Sequence, residues 1–225
     1  MILWHISDTH GFHKQLQVPE KVDIIIHSGD CSNQRNHVLN YSEVADFLDW
    51  YQTINCKHKI FCAGNHDGSI ESGMFRRYDF EKRGITYLCN ESVTIEGLNI
   101  WGSPMSPSFG DWSFMRKREK LYDLWQTIPE DTDILVTHTP PKGVLDLSED
   151  REGKLEMCGC KALLKRVMVV KPKLHLFGHL HTGHELINTG IRRYNMFETI
   201  FSNASAVEDG KFDKGIVFNG NIIEI

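Results

Sequence analysis

Five short stretches of this chain carry side chains able to hold cations or move protons. They are SDTHG with Asp8 and His10, SGDC with Asp30, GNHDG with Asn65, His66 and Asp67, VTHTPP with His138, and GHLHTG with His179 and His181. Carboxylate, imidazole and amide donors without a thiolate suit divalent ions of intermediate softness: Mn, Fe, Co, Ni or Zn. Calcium and structural zinc sites are built from other donors. A carboxylate also bridges two cations, and two ions ~3.5–4 Å apart are the usual device for displacement at phosphorus. The donor set therefore asks for a dinuclear centre. Asp8 with His10, and His179 with His181, are spaced i, i+2, which in extended backbone turns both members of a pair to one side. Glycines flank these residues, as expected where backbone turns sharply or approaches a ligand, and Pro140 and Pro141 stiffen the loop after His138.

Each motif alone has a structural reading of equal standing, because Asp and Asn after a strand cap helices or make turns and histidine is often merely buried. What distinguishes the five is their common placement. The segments ILWHI, KVDIIIHSGD, HKIFCAGNHD, DTDILVTHTP and PKLHLFGHLH each join a short apolar run to turn formers, the pattern of a buried strand. The candidate residues sit just beyond the strands' carboxyl ends, where open α/β sheets bind ligands. Helical patterns span roughly 34–53, 70–82, 113–127 and 159–170, so strand and helix alternate in a layered α/β architecture. ESVTIEGLNIWG, GIRRYNMFETIFSNAS and KGIVFNGNIIEI add antiparallel strands, with Asn219-Gly220 reading as a hairpin turn.

A length of 225 residues suits one domain over 1–225, and 40% hydrophobic with 24% charged residues is ordinary globular composition. No apolar run reaches the ~20 residues of a membrane helix. No basic leader precedes MILWHISDTHG, which points to a cytoplasmic protein. Six scattered cysteines without a CxxC pair fit reduced thiols, and CGC at 158–160 reads as helix-start packing rather than a metal or redox pair. A net charge of −5 argues against an extended nucleic-acid surface but not against one phosphate in a pocket. A homodimer remains open.

His27 and His175 lie inside predicted strands and read as core or ligand-supporting residues, while His5, His13, His37 and His58 belong to no motif. In GSPMSPSFGDWSFMRKREK, Trp112 offers an aromatic surface for a base and the basic run a partner for phosphate. The competing reading is a loop leading into a helix with a solvated basic face.

In order and surroundings, DTH, GD, GNHD, H and GHLH resemble the calcineurin-like metallophosphoesterase superfamily over nearly the whole chain. ISDTHG, IIIHSGD, KIFCAGNHD, IWGSP, ILVTHTPP, GCKALL, PKLHLFGHLH and FSNAS resemble its MPPED subfamily. The resemblance implies an α/β/β/α sandwich with mixed central sheets flanked by helices. It implies that Asp8, His10 and His181 hold one divalent metal, that Asn65, His138 and His179 hold the other, and that Asp30 bridges them, with Mn favoured over Fe, Zn, Co or Ni. A hydroxide shared by the ions would attack phosphorus, His66 would protonate the leaving oxygen and Asp67 would orient His66. The implied substrate is a small or nucleotide phosphodiester, cyclic nucleotides foremost; Asn65, Trp112 and His184 are the candidate substrate contacts. The subfamily usually has tyrosine where His184 stands, so His184 reads foremost as a plain rim residue, with a substrate-edge role as the alternative. An oligonucleotide phosphodiesterase and a non-catalytic protein-binding scaffold on the same fold are the rival functions.

Overall fold

The computed structural model describes residues 1–150, 152–183, 186–210 and 214–225. The amino-terminal half supplies β1 (Ile2–Ile6), β2 (Ile24–Ser28), β3 (His58–Cys62), β4 (Ile85–Leu88), β5 (Glu91–Ile95) and β6 (Leu98–Ser103). After them come β7 (Ser106–Pro107), β8 (Met115–Arg116), β9 (Ile134–Thr137), β10 (Leu147–Glu149), β11 (Leu155–Met157), β12 (Leu174–Phe177), β13 (Gly190–Arg192), β14 (Ile200–Asn203) and β15 (Asn221–Glu224). The helices are α1 (His37–Thr53), α2 (Gly68–Glu71), α3 (Arg77–Glu81), α4 (Arg118–Gln126) and α5 (Lys161–Val170).

Two sheets stack face to face. One runs β15-β1-β2-β3-β4, the other β13-β14-β12-β9-β6-β5, and each has a parallel centre with antiparallel strands at an edge. Strand alternation sends Ile24, Ile26 and Ile60 of the first sheet against Ile100, Ile134, Val136 and Leu176 of the second. The opposite faces are covered by helices: Ile25 and Phe61 pack with Val44, Phe47 and Tyr51 of α1, while Trp101 and Leu135 pack with Trp125 of α4 and Leu163 of α5. These are the α/β/β/α layers the resemblance implies. Among the described residues no helix is long and apolar enough to cross a membrane.

Three local expectations give way. Residues 70–82 do not form one helix, because Gly73 turns left-handed (φ 78°) between α2 and α3. Residues 113–117 stay outside α4: Phe114 adopts φ 52° and Met115–Arg116 pair with Ser106–Pro107. Asn219-Gly220 is not a hairpin turn, since β15 pairs with β1 and Asn219 instead docks the chain end, accepting Trp4 Nε1–H at 2.8 Å and binding Gln17 through its amide. CGC keeps its structural reading, with Cys160 at the amino-terminal boundary of α5 and its sulfur accepting a hydrogen bond from Trp125 Nε1 at 3.3 Å.

Three buried histidines hold the layers. His5 joins the sheets, with Nδ1 2.7 Å from Ser202 Oγ and Nε2 3.0 Å from Ser28 Oγ; His27 lies on Phe47, and His175 Nε2 stands 2.8 Å from Thr137 Oγ1. Burial lowers each imidazole to about 3. The unfolded chain titrates near ~6.5, so below that pH it binds protons the native state refuses. Stability is full above about pH 6.5 and falls as pH drops towards about 3, by about 1.4 kcal/mol per pH unit for each histidine. His175→Phe removes one of the three. Urea melts of metal-stripped protein at several pH values should show its acid slope reduced by about one proton, and an unchanged slope would disprove the assignment.

Candidate metal centre

The five site segments follow β1, β2, β3, β9 and β12, whose carboxyl ends lie along one edge of the sandwich. The two sheets are pinched together at that edge. A bridge between Ser7 and Ser205 links the end of β1 to the residues after β14, through Ser7 N–H to Ala204 O (3.1 Å) and Ala206 N–H to Ser7 O (3.0 Å). Asp8 follows directly, and its carboxylate accepts His179 N–H at 2.9 Å and Ser205 Oγ–H at 2.9 Å. Residues from both halves of the chain thereby meet.

Asp8, His10 and His181 present ligand atoms within 4.8 Å of one another, as do Asp30, His138 and His179. Asp30 Oδ2 faces both groups, 3.9 Å from His10 Nε2 and 3.3 Å from His138 Nε2. Asn65 Oδ1 closes the second group at 2.9 Å from His138 Nε2. Asp8, Asp30, His10 and His138 are buried.

The orientation of the rings tests whether cations belong here. His10 Nδ1 lies 3.1 Å from Ser32 O, and His138 Nδ1 lies 3.0 Å from Ser28 O. A carbonyl only accepts, so both Nδ1 atoms carry hydrogen and both Nε2 atoms present their outer position to the centre. There His138 Nε2 meets the oxygens of Asn65 and Asp30, and His10 Nε2 meets His181 Nε2 at 3.4 Å. Lone pairs converge from several directions on two points. Without a positive charge at those points they repel one another, so the residues fit a pair of divalent ions.

The titration behaviour separates the ligand histidines. Burial lowers His10 and His179 to about 3, leaving both neutral as ligands must be. At His138 burial also disfavours charge, yet the Asp30 carboxylate beside it prevails and raises the imidazole to about 9. For Asp8 burial is likewise overcome, by the hydrogen bond and charge of His181, so its carboxyl lies well below the ordinary range.

Backbone conformation shows how the ligands are aimed. Asp8, His10, Asp30 and His179 have φ of 50°, 43°, 58° and 70°. Such left-handed conformations are uncommon outside glycine and gather at functional sites. They also correct the expectation of extended i, i+2 pairs: Asp8 and His10 converge through turns, not along a strand. Gly64 and Gly178 make room, because a Cβ at Gly64 would overlap Asp30 and one at Gly178 would overlap the Asp8 carboxylate and the Ser7 hydroxyl.

His66 stands beside the centre, within ligand distance of His10 and Asp30, and donates its backbone N–H to Asp30 Oδ1 at 2.7 Å. Asp67 does not orient the His66 ring. Its two oxygens accept the backbone N–H groups of Asp30 (3.0 Å), Gly64 (2.8 Å) and Ser32 (3.1 Å), and the Ser32 hydroxyl at 2.8 Å. Asp67 thus ties two ligand-bearing loops together, while His66 Nδ1 is buried with no hydrogen-bond partner among the described residues. Trp112 is also reassigned. Its ring lies 4.1 Å from the His66 ring and 3.7 Å from the Arg35 guanidinium carbon, so its π-surface is engaged within the protein and does not offer a free platform for a base. His184 lies outside the described residues.

Ser205 and Ser32 are supports that spacing alone does not reveal; only FSNAS, as a recognised motif, pointed towards Ser205. The centre opens into a cavity of about 540 Å³, lined beyond the ligands by Phe109, Trp112, Arg118, Leu147, Leu186 and Asp209.

A two-sheet sandwich with carboxylates and imidazoles gathered at one edge defines the metallophosphoesterase class, and the comparisons place the chain within it. A family model described as calcineurin-like phosphoesterase matches residues 1–183, and the chain belongs to that family, in its MPPED branch. A UPF0046 protein of Caenorhabditis elegans is 37% identical over 217 residues, covering 89% of this chain and 73% of that protein. The human metallophosphoesterase domain-containing protein 1 is 33% identical over 213 residues, 84% of this chain and 63% of that protein. A solved crystal structure aligns with TM-score 0.65 at 12% identity, over 90% of this chain and 89% of its own, a likeness of fold alone.

Proposed function

We propose that the protein is a dimetal phosphodiesterase acting on small phosphodiesters, cyclic nucleotides foremost. The observation that carries the reading is one Asp30 oxygen turned towards two donor groups, with His66 at their side. Two divalent ions, when bound, acidify water and neutralise charge on the phosphoryl oxygens. Asp8, His10 and His181 would hold one and Asn65, His138 and His179 the other, with Asp30 available to both; Mn is the favoured ion. His66 gives a proton to the departing ester oxygen as the P–O bond breaks. Water supplies the new P–O bond, so an acyclic diester yields a phosphomonoester and an alcohol, and a cyclic nucleotide yields one nucleoside monophosphate bearing the freed hydroxyl. A cavity of about 540 Å³ lies within the range of small-ligand pockets, and its mixed lining, with Phe109, Leu147 and Leu186 beside Arg118 and Asp209, suits a nucleotide better than an extended polyanion. A cytoplasmic setting belongs to the same proposal, and either a monomer or a homodimer is compatible with it.

Metal-stripped protein should be inactive towards bis(p-nitrophenyl) phosphate and recover with Mn²⁺. A panel of 2′,3′- and 3′,5′-cyclic nucleotides, oligonucleotides and phosphomonoesters then ranks the substrates. Failure of every transition metal to support turnover in folded protein would leave the non-catalytic scaffold. His66→Ala should keep two ions while kcat falls about 10²-fold or more for poor leaving groups and far less for p-nitrophenolate. An equal fall for all leaving groups would refute the acid role.

A further inference from the structure

With Asp67 committed to backbone N–H groups, His66 Nδ1 has, among the described residues, no hydrogen-bonding group to fix the direction of the ring. The ring has aromatic ones. The His10 ring meets it edge-on at 4.7 Å, and the Trp112 indole lies across it at 4.1 Å with an interplanar angle of 32°. The Arg35 guanidinium sits 3.7 Å from the same indole centroid. Two planar groups this close to one centroid overlap if they share a face, so imidazole and guanidinium take opposite faces of the indole.

The three segments that carry this stack are fastened to one another. Ser113 N–H donates to Asn65 O at 3.1 Å, holding the Trp112 loop on the turn that bears His66. Buried Asn40 donates to His66 O at 2.7 Å and to Gln34 O at 2.7 Å and accepts Ser69 N–H at 2.9 Å, tying that turn to the loop of Arg35. Arg116 pairs with Glu71 at 3.2 Å on the far side. The indole is therefore fixed before any substrate arrives.

We infer that Trp112, backed by Arg35, is the positioning residue for His66, aiming the imidazole at the leaving oxygen through a ring stack in place of a carboxylate. This deepens the phosphodiesterase reading and rests on it. A ring held on one face by the indole and at its edge by His10 keeps its hydrogen-bearing nitrogen directed without the hydrogen-bonding orienter that catalytic histidines ordinarily use.

The test compares wild type, Trp112→Ala, Trp112→Phe, Arg35→Ala and His66→Ala on methyl aryl phosphates graded from p-nitrophenyl to phenyl. Trp112→Ala should keep two bound ions and an unchanged KM, and lose kcat by about 10-fold or more on the phenyl ester against at most about threefold on the p-nitrophenyl ester. Trp112→Phe restores most of the loss, and Arg35→Ala shows a loss of about two- to fivefold with the same leaving-group trend. A second readout needs no turnover: in metal-stripped, histidine-labelled protein the His66 ring protons should be shifted upfield in NMR spectra by an aromatic ring at position 112, in wild type and Trp112→Phe but not in Trp112→Ala. A rise in KM for nucleotides with kcat intact would make Trp112 a substrate platform and overturn the inference. So would a leaving-group signature in His66→Ala that is missing from Trp112→Ala, with the phosphodiesterase reading left standing. Absence of turnover in wild type with every metal, or no leaving-group dependence in His66→Ala, defeats that reading itself and the inference with it.

Discussion

Asp30→Asn is expected to lower bound metal from two ions per chain to one or fewer and to reduce kcat roughly 10³-fold or more, since a bound cation supplies several kcal/mol of charge stabilisation at phosphorus. The substitution removes charge with little change of shape. Its retained amide oxygen still accepts His66 N–H, which Asp30 Oδ1 takes at 2.7 Å. What disappears is the anionic Oδ2 that faces His10 and His138 together. The same change has a signature without metal. Because the Asp30 carboxylate raises His138 to about 9 against the effect of burial, its loss should leave that imidazole neutral near neutral pH, visible in its NMR chemical shift. Metal analysis and turnover of bis(p-nitrophenyl) phosphate decide the matter: two ions retained with kcat within about threefold of wild type would rule out a shared ligand.

Gly178→Ala should do comparable harm from behind the ligands. The added methyl would overlap both the Asp8 carboxylate and the Ser7 hydroxyl, at the point where the sheets are joined. Asp8 cannot move aside without losing the hydrogen bonds from His179 N–H and Ser205 Oγ–H. Overpacking of this kind costs about 3 kcal/mol or more where the neighbours are fixed, or a fall of about 6–12 °C in Tm for a chain of this size. Metal held by Asp8, His10 and His181 should be lost as well. Gly183→Ala is the control, because among the described residues its Cβ would meet nothing closer than Asp209 Cβ at 3.9 Å. That variant should melt within about 2 °C of wild type. A Gly178→Ala protein that melts normally and binds two ions would show that Asp8 is not confined as the structure places it.

The sequence by itself determined the layers and the donor set. Short β-branched runs at ILWHI, IIIHS and ILVT specify buried strands, and Asp, His and Asn placed just after them specify an edge rich in metal donors. Both follow from local pattern, because strand burial and donor chemistry are properties of the residues themselves. The long-range arrangement was not legible in this way. That Asp67 would serve backbone N–H groups and Trp112 would stack between His66 and Arg35 depends on loops remote in sequence being held at one place. The left-handed turns at Asp8, His10, Asp30 and His179 likewise need surrounding structure to impose a conformation the residues disfavour alone. Asn219-Gly220 makes the same point in reverse: its hairpin signal is real, but pairing of β15 with β1 outweighs it, since tertiary burial decides among local options of similar energy.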